Sequence, residues 1–254
     1  MLALIIISSA AQSETISSIE NPSLTMCVSH YPPHQIVLPS QTPIGENIAA
    51  TTHLFHKLGF TIRYTQNNSF WRCLAMLKAG KVDIMSGLLD SLERRTFAHL
   101  FVYSSLNKKS FIVNKNSPNI SSFSDLEGLK VAVLRGMKQF KQFDNAPDGY
   151  FHKVYVNDLD AAFRVLIAGK VDVFISTDFN DLDKVKHQLK ATEKIKEIIV
   201  KLDDSSLLFT GLSKKSKVAH LAPKITELSK TLYKNGKFKK VINEFKIKHP
   251  EHYY

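Results

Sequence analysis

Histidine side chains are the first candidates for chemistry in this chain, because two of them stand at an informative spacing. His30 and His34 are four residues apart, which is the spacing of a zinc-binding pair on one face of a helix. Pro32 and Pro33 lie between them and exclude that helix, because proline lacks the backbone N–H group and clashes with the preceding turn. We therefore expect His30 and His34 to be turn histidines, and the remaining histidines are dispersed.

Common catalytic motifs are absent from the sequence. It contains no G-x-S-x-G, H-E-x-x-H, P-loop or G-x-G-x-x-G pattern, and these are the motifs that place nucleophiles, zinc or nucleotide phosphates. We expect a protein that is not an enzyme and that holds no metal and no cofactor.

The two cysteines, Cys27 and Cys73, could form a disulfide that ties the first predicted strand to a later helix. This requires an oxidising compartment. The alternative is two separately buried thiols, which pack as small apolar side chains.

The N-terminal segment bears on that compartment. An apolar stretch at 2–11 turns into small residues, with Ser9-Ala10-Ala11 or Ala11-Gln12-Ser13 as a cleavage site. This resembles the end of a secretory signal peptide, although no Lys or Arg precedes Lys57. We assign 1–13 as a signal peptide remnant and expect a periplasmic protein. The alternative is a buried N-terminal strand around Ile5-Ile6-Ile7.

Composition indicates a folded globular protein with a basic surface. The chain has 254 residues, 44% of them hydrophobic, and a formal net charge of +11. Residues 214–248 carry eleven lysines. These lysines alternate with apolar residues at helical spacing, which is typical of the solvated face of core helices. We therefore expect no nucleic-acid partner, and no run reaches the roughly 18 apolar residues of a membrane span.

Strand-forming and helix-forming segments alternate along the chain. In order, we predict strand 24–29, helix 45–58, strand 60–65, helix 70–79, strand 82–86, strand 130–134, helix 159–168, strand 171–176 and two helices within 221–245. Alternation of this kind favours parallel sheets with helical crossovers.

An internal repeat divides this pattern into two halves. Residues 77–84 (LKAGKVDI) recur as 166–173 (LIAGKVDV), and each copy joins a helix end, a glycine, a turn and a buried strand. We predict that Asp83 and Asp172 hold these turns through their side-chain oxygens. Two copies favour two similar lobes, with the chain crossing between them at 106–119 and near 200–210.

An ordered set of residues carries a family resemblance. The set is Tyr31-Pro32-Pro33, Gly45, Leu58-Gly59, Trp71-x-x-x-Leu-x-x-Leu-x-x-Gly80-x-Val82-Asp83, Ser91-x-Glu93-Arg94, Phe101, Asp125-Leu126-x-Gly128-x-x-Val131-x-Val133-x-x-Gly136 and Gly169-x-Val171-Asp172. Over about 23–247 the chain resembles the bacterial extracellular solute-binding proteins of family 3, of the periplasmic amino-acid-binding type.

The resemblance implies an α/β fold of the two-lobed periplasmic-binding-protein type II, or Venus flytrap, class. Each lobe would be a mainly parallel sheet flanked by helices, with 23–108 plus 206–254 as lobe 1 and 109–205 as lobe 2. It also implies a monomer that captures a small polar, carboxylate-bearing solute between the lobes. An ABC permease or a membrane sensor would recognise the closed form.

The resemblance also implies site residues. Tyr31 and either Phe70 or Trp71 would stack on the ligand, although Trp71 could equally be a core residue. Arg94 stands where the family's arginine clamps a carboxylate, and the planar guanidinium suits that role. The neighbouring Arg95 competes for it, because its spacing to Phe101 fits better.

Several positions depart from the family pattern. Gly45 is followed by Glu46 and Asn47, and Gly136 by Met137 and Lys138. The family usually has small hydroxyl residues after that second glycine. Lys138 would instead add positive charge beside the backbone N–H groups.

The acidic residue that meets an α-amino group would fall at Thr177 or Asp178. We expect second-lobe contacts near Lys138 and Asp178, and the departures argue against an ordinary α-amino acid as ligand.

Two other functions remain open. A periplasmic enzyme of the same fold, such as a dehydratase acting on a cyclic carboxylic acid, would need an acid in the cleft. Asp90 and Glu93 are the candidates for that acid. A sensory binding domain without a permease is the other alternative.

Overall fold

The computed structural model describes residues 22–117, 120–176 and 194–253. The predicted signal segment 1–13 and the candidate Asp178 lie outside these ranges. The strands are β1 (Ser23–Val28), β2 (Thr61–Asn67), β3 (Ile84–Leu89), β4 (Ala98–Asn114), β5 (Lys130–Leu134), β6 (His152–Val156), β7 (Val173–Ser176) and β8 (Ile195–Ser213). The helices are α1 (Glu46–His56), α2 (Phe70–Ala79), α3 (Leu92–Phe97), α4 (Lys141–Asp144), α5 (Leu159–Ile167), α6 (Ala222–Lys234) and α7 (Lys237–Lys248). Short 3₁₀ helices cover Phe123–Leu126, Ala219–Leu221 and Pro250–His252.

The strands are hydrogen-bonded in the order β2-β1-β3-β8-β4-β7-β5-β6. In one half of this order β1 runs parallel to β2 and β3, and in the other half β5 runs parallel to β6 and β7. The long strands β4 and β8 pair with each other antiparallel and border both halves. The predicted two-lobed α/β architecture is confirmed, and each lobe adds two antiparallel strands to its three parallel ones.

The crossing between the lobes runs inside β4 and β8 rather than through loops. Their pairing shifts register between Val102 and Ser104 and again between Leu106 and Lys108. Such irregularities bend a strand and increase its twist. We propose that the boundary between 23–108 plus 206–254 and 109–205 lies at these shifts.

The C-terminal helices pack on lobe 1, as the sequence predicts. Ile225 of α6 and Phe238 of α7 are buried in the same apolar cluster as Leu54 of α1. Ten of the eleven lysines of 214–248 are exposed, and Lys246 is half-buried. Most of the positive charge of this segment is therefore on the outer surface.

The two copies of the internal repeat make the same contact in each lobe. The Asp83 backbone N–H group donates to the Thr25 carbonyl, and the Thr25 N–H group donates to the Asp83 carboxylate, each at 2.9 Å. The Asp172 N–H group likewise donates to the Lys130 carbonyl at 2.8 Å, and the Lys130 N–H group donates to the Asp172 carboxylate at 2.7 Å. Each aspartate therefore joins its turn to the neighbouring parallel strand.

A disulfide joins β1 to α2. Cys27 and Cys73 are linked with an S–S distance of 2.08 Å. Both residues are buried in a lobe 1 cluster that also contains Phe70 and Leu77. The bond fixes the end of β1 against the helix that carries Phe70, and the cavity described below begins there.

Candidate functional site

A cavity lies between the two lobes. Lobe 1 contributes Tyr31, His34 and Phe70 to its wall, and lobe 2 contributes Leu134 and Asp158. The space free of protein atoms, counted out to its open mouth, is about 660 Å³. Small-molecule sites in proteins are mostly apolar with a few polar groups.

Tyr31 connects the lobes across this cavity. It follows the end of β1, and it is buried among lobe 2 residues such as Leu134 and Leu159. Its hydroxyl group forms a hydrogen bond with the Ser176 hydroxyl group at the end of β7, with an O···O distance of 2.5 Å. The structure therefore has its cleft closed over the cavity, with Tyr31 in the wall where the sequence analysis places it.

The structure separates Phe70 from Trp71. Phe70 is buried at the start of α2 and lines the cavity. Trp71 is 44% exposed and does not line it. Trp71 instead lies close to Gly136 of lobe 2, where an added Cβ atom would be 3.3 Å from the Trp71 Cβ atom. Gly136 has φ +78°, so both its backbone conformation and this close approach favour glycine.

Arg94 forms a second connection between the lobes. Its side chain is buried, with 2% of the residue exposed, and it donates to the Leu89 carbonyl at 2.5 Å and to the Gly136 carbonyl at 2.9 Å. The guanidinium carbon lies 5.8 Å from the centre of the Phe70 ring. Burial lowers the pKa of Arg94 to about 10, and nearby carboxylates oppose this. Arg94 is therefore positively charged at neutral pH, and it lies against Phe70, which lines the cavity.

Arg95 and the two carboxylates proposed for catalysis lie outside the cavity wall. Arg95 is exposed and binds Asp90 with two hydrogen bonds of 2.7 and 2.6 Å. Glu93 is exposed in the first turn of α3. Asp90 and Glu93 line a separate outer groove together with Lys138 and Asp144.

Two lysine side chains line the cavity. Lys138 is half-buried and lines it just after Gly136. Lys109 of β4 also lines it, is only 1% exposed, and donates to the Gln139 side-chain oxygen at 3.4 Å. Burial lowers the pKa of Lys109 to about 7, although the charge of Asp144 opposes this. The sequence analysis missed Lys109, because nothing in a run of lysines marks the one that a strand turns inward.

His34 is another cavity residue that the sequence does not mark as a ligand-binding residue. It is buried, and its ring stacks on Tyr31 with the ring centres 5.8 Å apart. The Nδ1 atom of His34 lies 3.1 Å from the Glu46 carboxylate. Glu46 also accepts hydrogen bonds from Tyr253 at 2.8 Å and lies 3.0 Å from the Lys246 ammonium group. The turn position of His34 was predicted, but the fold of 31–45 carries its ring into the cavity wall.

An amide group completes this side of the wall. Asn47 accepts a hydrogen bond from the Tyr103 hydroxyl group at 2.6 Å through its side-chain oxygen. A Cβ atom added at Gly87 would lie 2.9 Å from the Asn47 side-chain nitrogen. Gly87 therefore leaves room for the Asn47 amide at the cavity.

A group of metal-ligating residues lies away from the cavity, at the C-terminal end. His249, Glu251 and His252 have ligand atoms within 4.8 Å of one another. Glu251 is within 3.2 Å of His249 and 3.5 Å of His252, so ion pairs account for the arrangement. Among the described residues, no helix has the length and apolar content that crossing a membrane requires.

Comparison with known proteins gives a family and a fold. Residues 24–247 match the sequence profile of the bacterial extracellular solute-binding proteins, family 3. No curated protein matches the chain in sequence.

Solved structures share the two-lobed fold at low sequence identity. One is an arginine third transport system periplasmic binding protein from Legionella pneumophila, 16% identical, covering 88% of this chain and 99% of its own, with a TM-score of 0.70. Another is a histidine kinase sensor domain with similarity to periplasmic binding proteins, 18% identical, covering 89% and 96%, with a TM-score of 0.71. A third is the ancestral amino-acid-binding protein AncCDT-1, a precursor of cyclohexadienyl dehydratase, 19% identical, covering 91% and 96%, with a TM-score of 0.64.

Proposed function

The chain belongs to the bacterial extracellular solute-binding proteins of family 3, and on that premise we propose that it is a periplasmic protein that captures a small, polar, carboxylate-bearing solute between its lobes for an ABC-type permease. The observation that carries this proposal is the cavity whose wall comes from both lobes. A solute inside it would contact both lobes only in the closed form, and binding would therefore shift the population toward closure.

The charges around the cavity support an acidic solute. Lys109 and Lys138 line the cavity, and Arg94 lies behind Phe70. Asp158 also lines it, but its carboxylate accepts the N–H group of Ala161 at the start of α5. An acidic group on the solute would give the buried Lys109 the charged partner that a buried cation requires.

Arg94 could take part in the same recognition. In the closed structure it donates to the Gly136 carbonyl. A carboxylate is a stronger partner for a guanidinium group than a neutral carbonyl is. We propose that the acidic group of the solute replaces the Gly136 carbonyl on Arg94.

Export of the protein has support from the disulfide. Cys27 and Cys73 are bonded, and disulfides persist mainly in oxidising compartments such as the periplasm. The apolar segment at 2–11 would be the signal that directs the chain there.

A sensory role is the second candidate, because a histidine kinase sensor domain has the same fold. Both roles use the same solute-driven closure and differ only in the membrane partner. The enzyme alternative has less support, because Asp90 binds Arg95 at the surface and Glu93 is exposed. Neither carboxylate lines the cavity.

A thermal-shift screen tests the binding function. The purified protein would be heated with amino acids, dicarboxylates and oligosaccharides in turn. A solute at 100 times its dissociation constant stabilises the folded state by about 2.7 kcal/mol, and we expect carboxylate-bearing solutes to give such shifts. A screen in which no solute raises the melting temperature would contradict the proposal.

A further inference from the structure

We infer that His34 is a ligand-binding residue whose Nε2 atom accepts a hydrogen bond from an N–H or O–H group of the solute. This inference rests on the proposed function and specifies its substrate class. The solute would be a small carboxylic acid that also carries a hydrogen-bond donor, such as an amino acid or a hydroxy acid.

The first observation is an unpartnered nitrogen in the cavity wall. His34 lines the cavity and is 8% exposed. Within the described part of the chain, its Nε2 atom has neither a hydrogen-bond partner nor appreciable solvent contact. Leaving a buried polar group unpaired costs about 1–3 kcal/mol. In a closed cleft, a solute is the species that could restore the missing hydrogen bond.

The second observation shows which nitrogen of the His34 ring carries a proton. Burial alone would raise the pKa of Glu46, but the hydrogen bond and charge of His34 and the ammonium group of Lys246 together lower it to about 2. Glu46 is therefore ionised at neutral pH and can only accept hydrogen bonds. The Nδ1 atom of His34, 3.1 Å from this carboxylate, must then be the donor.

A neutral imidazole with its proton on Nδ1 has a lone pair on Nε2. Lys246 also balances the charge of Glu46. Lys109 and Lys138 also line the same cavity. On a neutral ring of this kind the Nε2 atom is an acceptor, and it requires a donor from the solute.

The ring is also held in place before any solute arrives. One face stacks on Tyr31 with an interplanar angle of 18°, and Glu46 holds Nδ1. Glu46 is itself held by Tyr253 and Lys246 of the C-terminal segment. Little conformational freedom would be lost on binding, which favours a contact that discriminates between solutes.

The test compares solutes with and without the donor. The probes are L-amino acids, the matching 2-hydroxy acids, and the matching carboxylic acids with hydrogen at that carbon. Dissociation constants would be measured by calorimetry for the wild type and for His34→Phe, which keeps a ring against Tyr31 and removes both nitrogens. We expect His34→Phe to weaken binding of amino or hydroxy acids at least tenfold. The acids without the donor should change by less than about twofold.

The matched control is His53→Phe. His53 also has a buried Nε2 atom without a partner among the described residues, but it packs against Phe238 and does not line the cavity. We expect its binding constants to equal those of the wild type. If His34→Phe does not fold, Glu46→Gln replaces it, since a neutral amide no longer fixes the proton on Nδ1. That variant should bind donor-bearing acids more weakly and the other acids unchanged.

Three results would overturn the inference. Equal binding of donor-bearing acids by the wild type and His34→Phe would exclude the contact and leave the proposed function intact. Stronger binding of the acids without the donor by the wild type would also exclude the contact and leave the proposed function intact. Failure of the wild type to bind any acid in the panel would contradict the proposed substrate class, and the inference would fall with it.

Discussion

Lys109 is a buried lysine that a strand places against the cavity. Its ammonium group has one hydrogen-bond partner among the described residues, the neutral amide of Gln139. Burial lowers its pKa to about 7 from the ordinary 10.5, with Asp144 opposing the shift. In the solute-free protein, folding therefore disfavours the charged form of Lys109.

The stability of the solute-free protein should rise between about pH 7 and pH 10.5. In that window the unfolded chain binds a proton at Lys109 that the folded chain has lost, so raising the pH favours folding. The slope should approach about 1.4 kcal/mol per pH unit. Urea unfolding of the wild type and Lys109→Met at pH 7 and pH 9 checks this. Equal pH dependence of the two proteins would contradict it.

Glu46 should also make stability rise with pH, but in the acidic range. Its folded pKa of about 2 lies below the ordinary 4.5, where burial is outweighed by His34 and Lys246. The stabilisation is fully present above pH 4.5 and is lost as the pH falls toward 2, and it amounts to about 3 kcal/mol. Unfolding measured at pH 6 and pH 3 should show a smaller loss for Glu46→Gln than for the wild type. The exposed Glu227→Gln serves as the control and should behave as the wild type.

At the level of secondary-structure elements, a single aspartate in each lobe joins two neighbouring strands. Asp83 accepts from the Thr25 N–H group and from the Ser216 hydroxyl group at 2.6 Å, whereas Asp172 accepts from the Lys130 N–H group. Each contact ties the strand after the repeated turn to the neighbouring parallel strand. The repeat in the sequence is therefore a repeat of one strand junction.

Asp83→Ala should destabilise the protein more than Asp172→Ala. A hydrogen bond to a charged group contributes about 1.5–3 kcal/mol, and Asp83 makes one more of them than Asp172 does. Chemical denaturation curves of both variants give the difference. Asp148→Ala, which removes an exposed loop carboxylate, should leave the midpoint unchanged. The reverse ranking would show that these contacts do not hold the strands.

The disulfide joins two elements of lobe 1 across a sequence separation of 46 residues. The loop-entropy model gives about 4 kcal/mol for a loop of this length. We expect the Cys27→Ala/Cys73→Ala double variant to lose most of that stabilisation. The oxidised wild type should lose the same amount when a reductant is added, and unfolding curves with and without reductant measure both. A double variant as stable as the oxidised protein would contradict this expectation.

Two polar contacts join the lobes among the residues that the structure describes, and we expect them to favour the closed form. Tyr31 reaches Ser176, and Arg94 reaches the Gly136 carbonyl while its other end holds the Leu89 carbonyl of lobe 1. Because β4 and β8 run through both lobes, bending of these strands would open the cleft without breaking the sheet.

Arg94→Met should therefore open the solute-free protein. Methionine fills much of the same space but donates no hydrogen bond to either carbonyl. We expect small-angle X-ray scattering to show a larger radius of gyration than for the wild type, together with weaker solute binding. Arg95→Met is the matched control, because Arg95 is exposed and binds Asp90 of the same lobe. An effect of Arg95→Met as large as that of Arg94→Met would contradict the assignment.

Much of the fold follows from local sequence signals. Helix α2 and strand β5 have the predicted bounds, and the two helices predicted within 221–245 are present as α6 and α7. Glycines end helices where a positive φ is needed, and apolar spacing marks the buried faces. The length of β4 and β8 was not predicted, because their pairing is between residues far apart in sequence.

The site was predictable only in part. The family pattern directed attention to Tyr31, Phe70 and Arg94, but the choice between Phe70 and Trp71, or between Arg94 and Arg95, depends on which way each helix faces. His34 was interpreted as a turn histidine and Lys109 was one lysine among many. Neither residue type nor spacing reveals that a side chain is buried beside a cavity.

The sequence by itself determined the elements, the two similar lobes and the outward-facing lysines, because helical and strand periodicity and glycine positions act locally. Only the tertiary structure decided which charges matter for the cleft. Long strands bring Lys109 inward, and Glu46 orients His34 with help from Tyr253, more than 200 residues later in the chain. Burial and hydrogen bonding between such distant residues set protonation and orientation, and no local pattern encodes either.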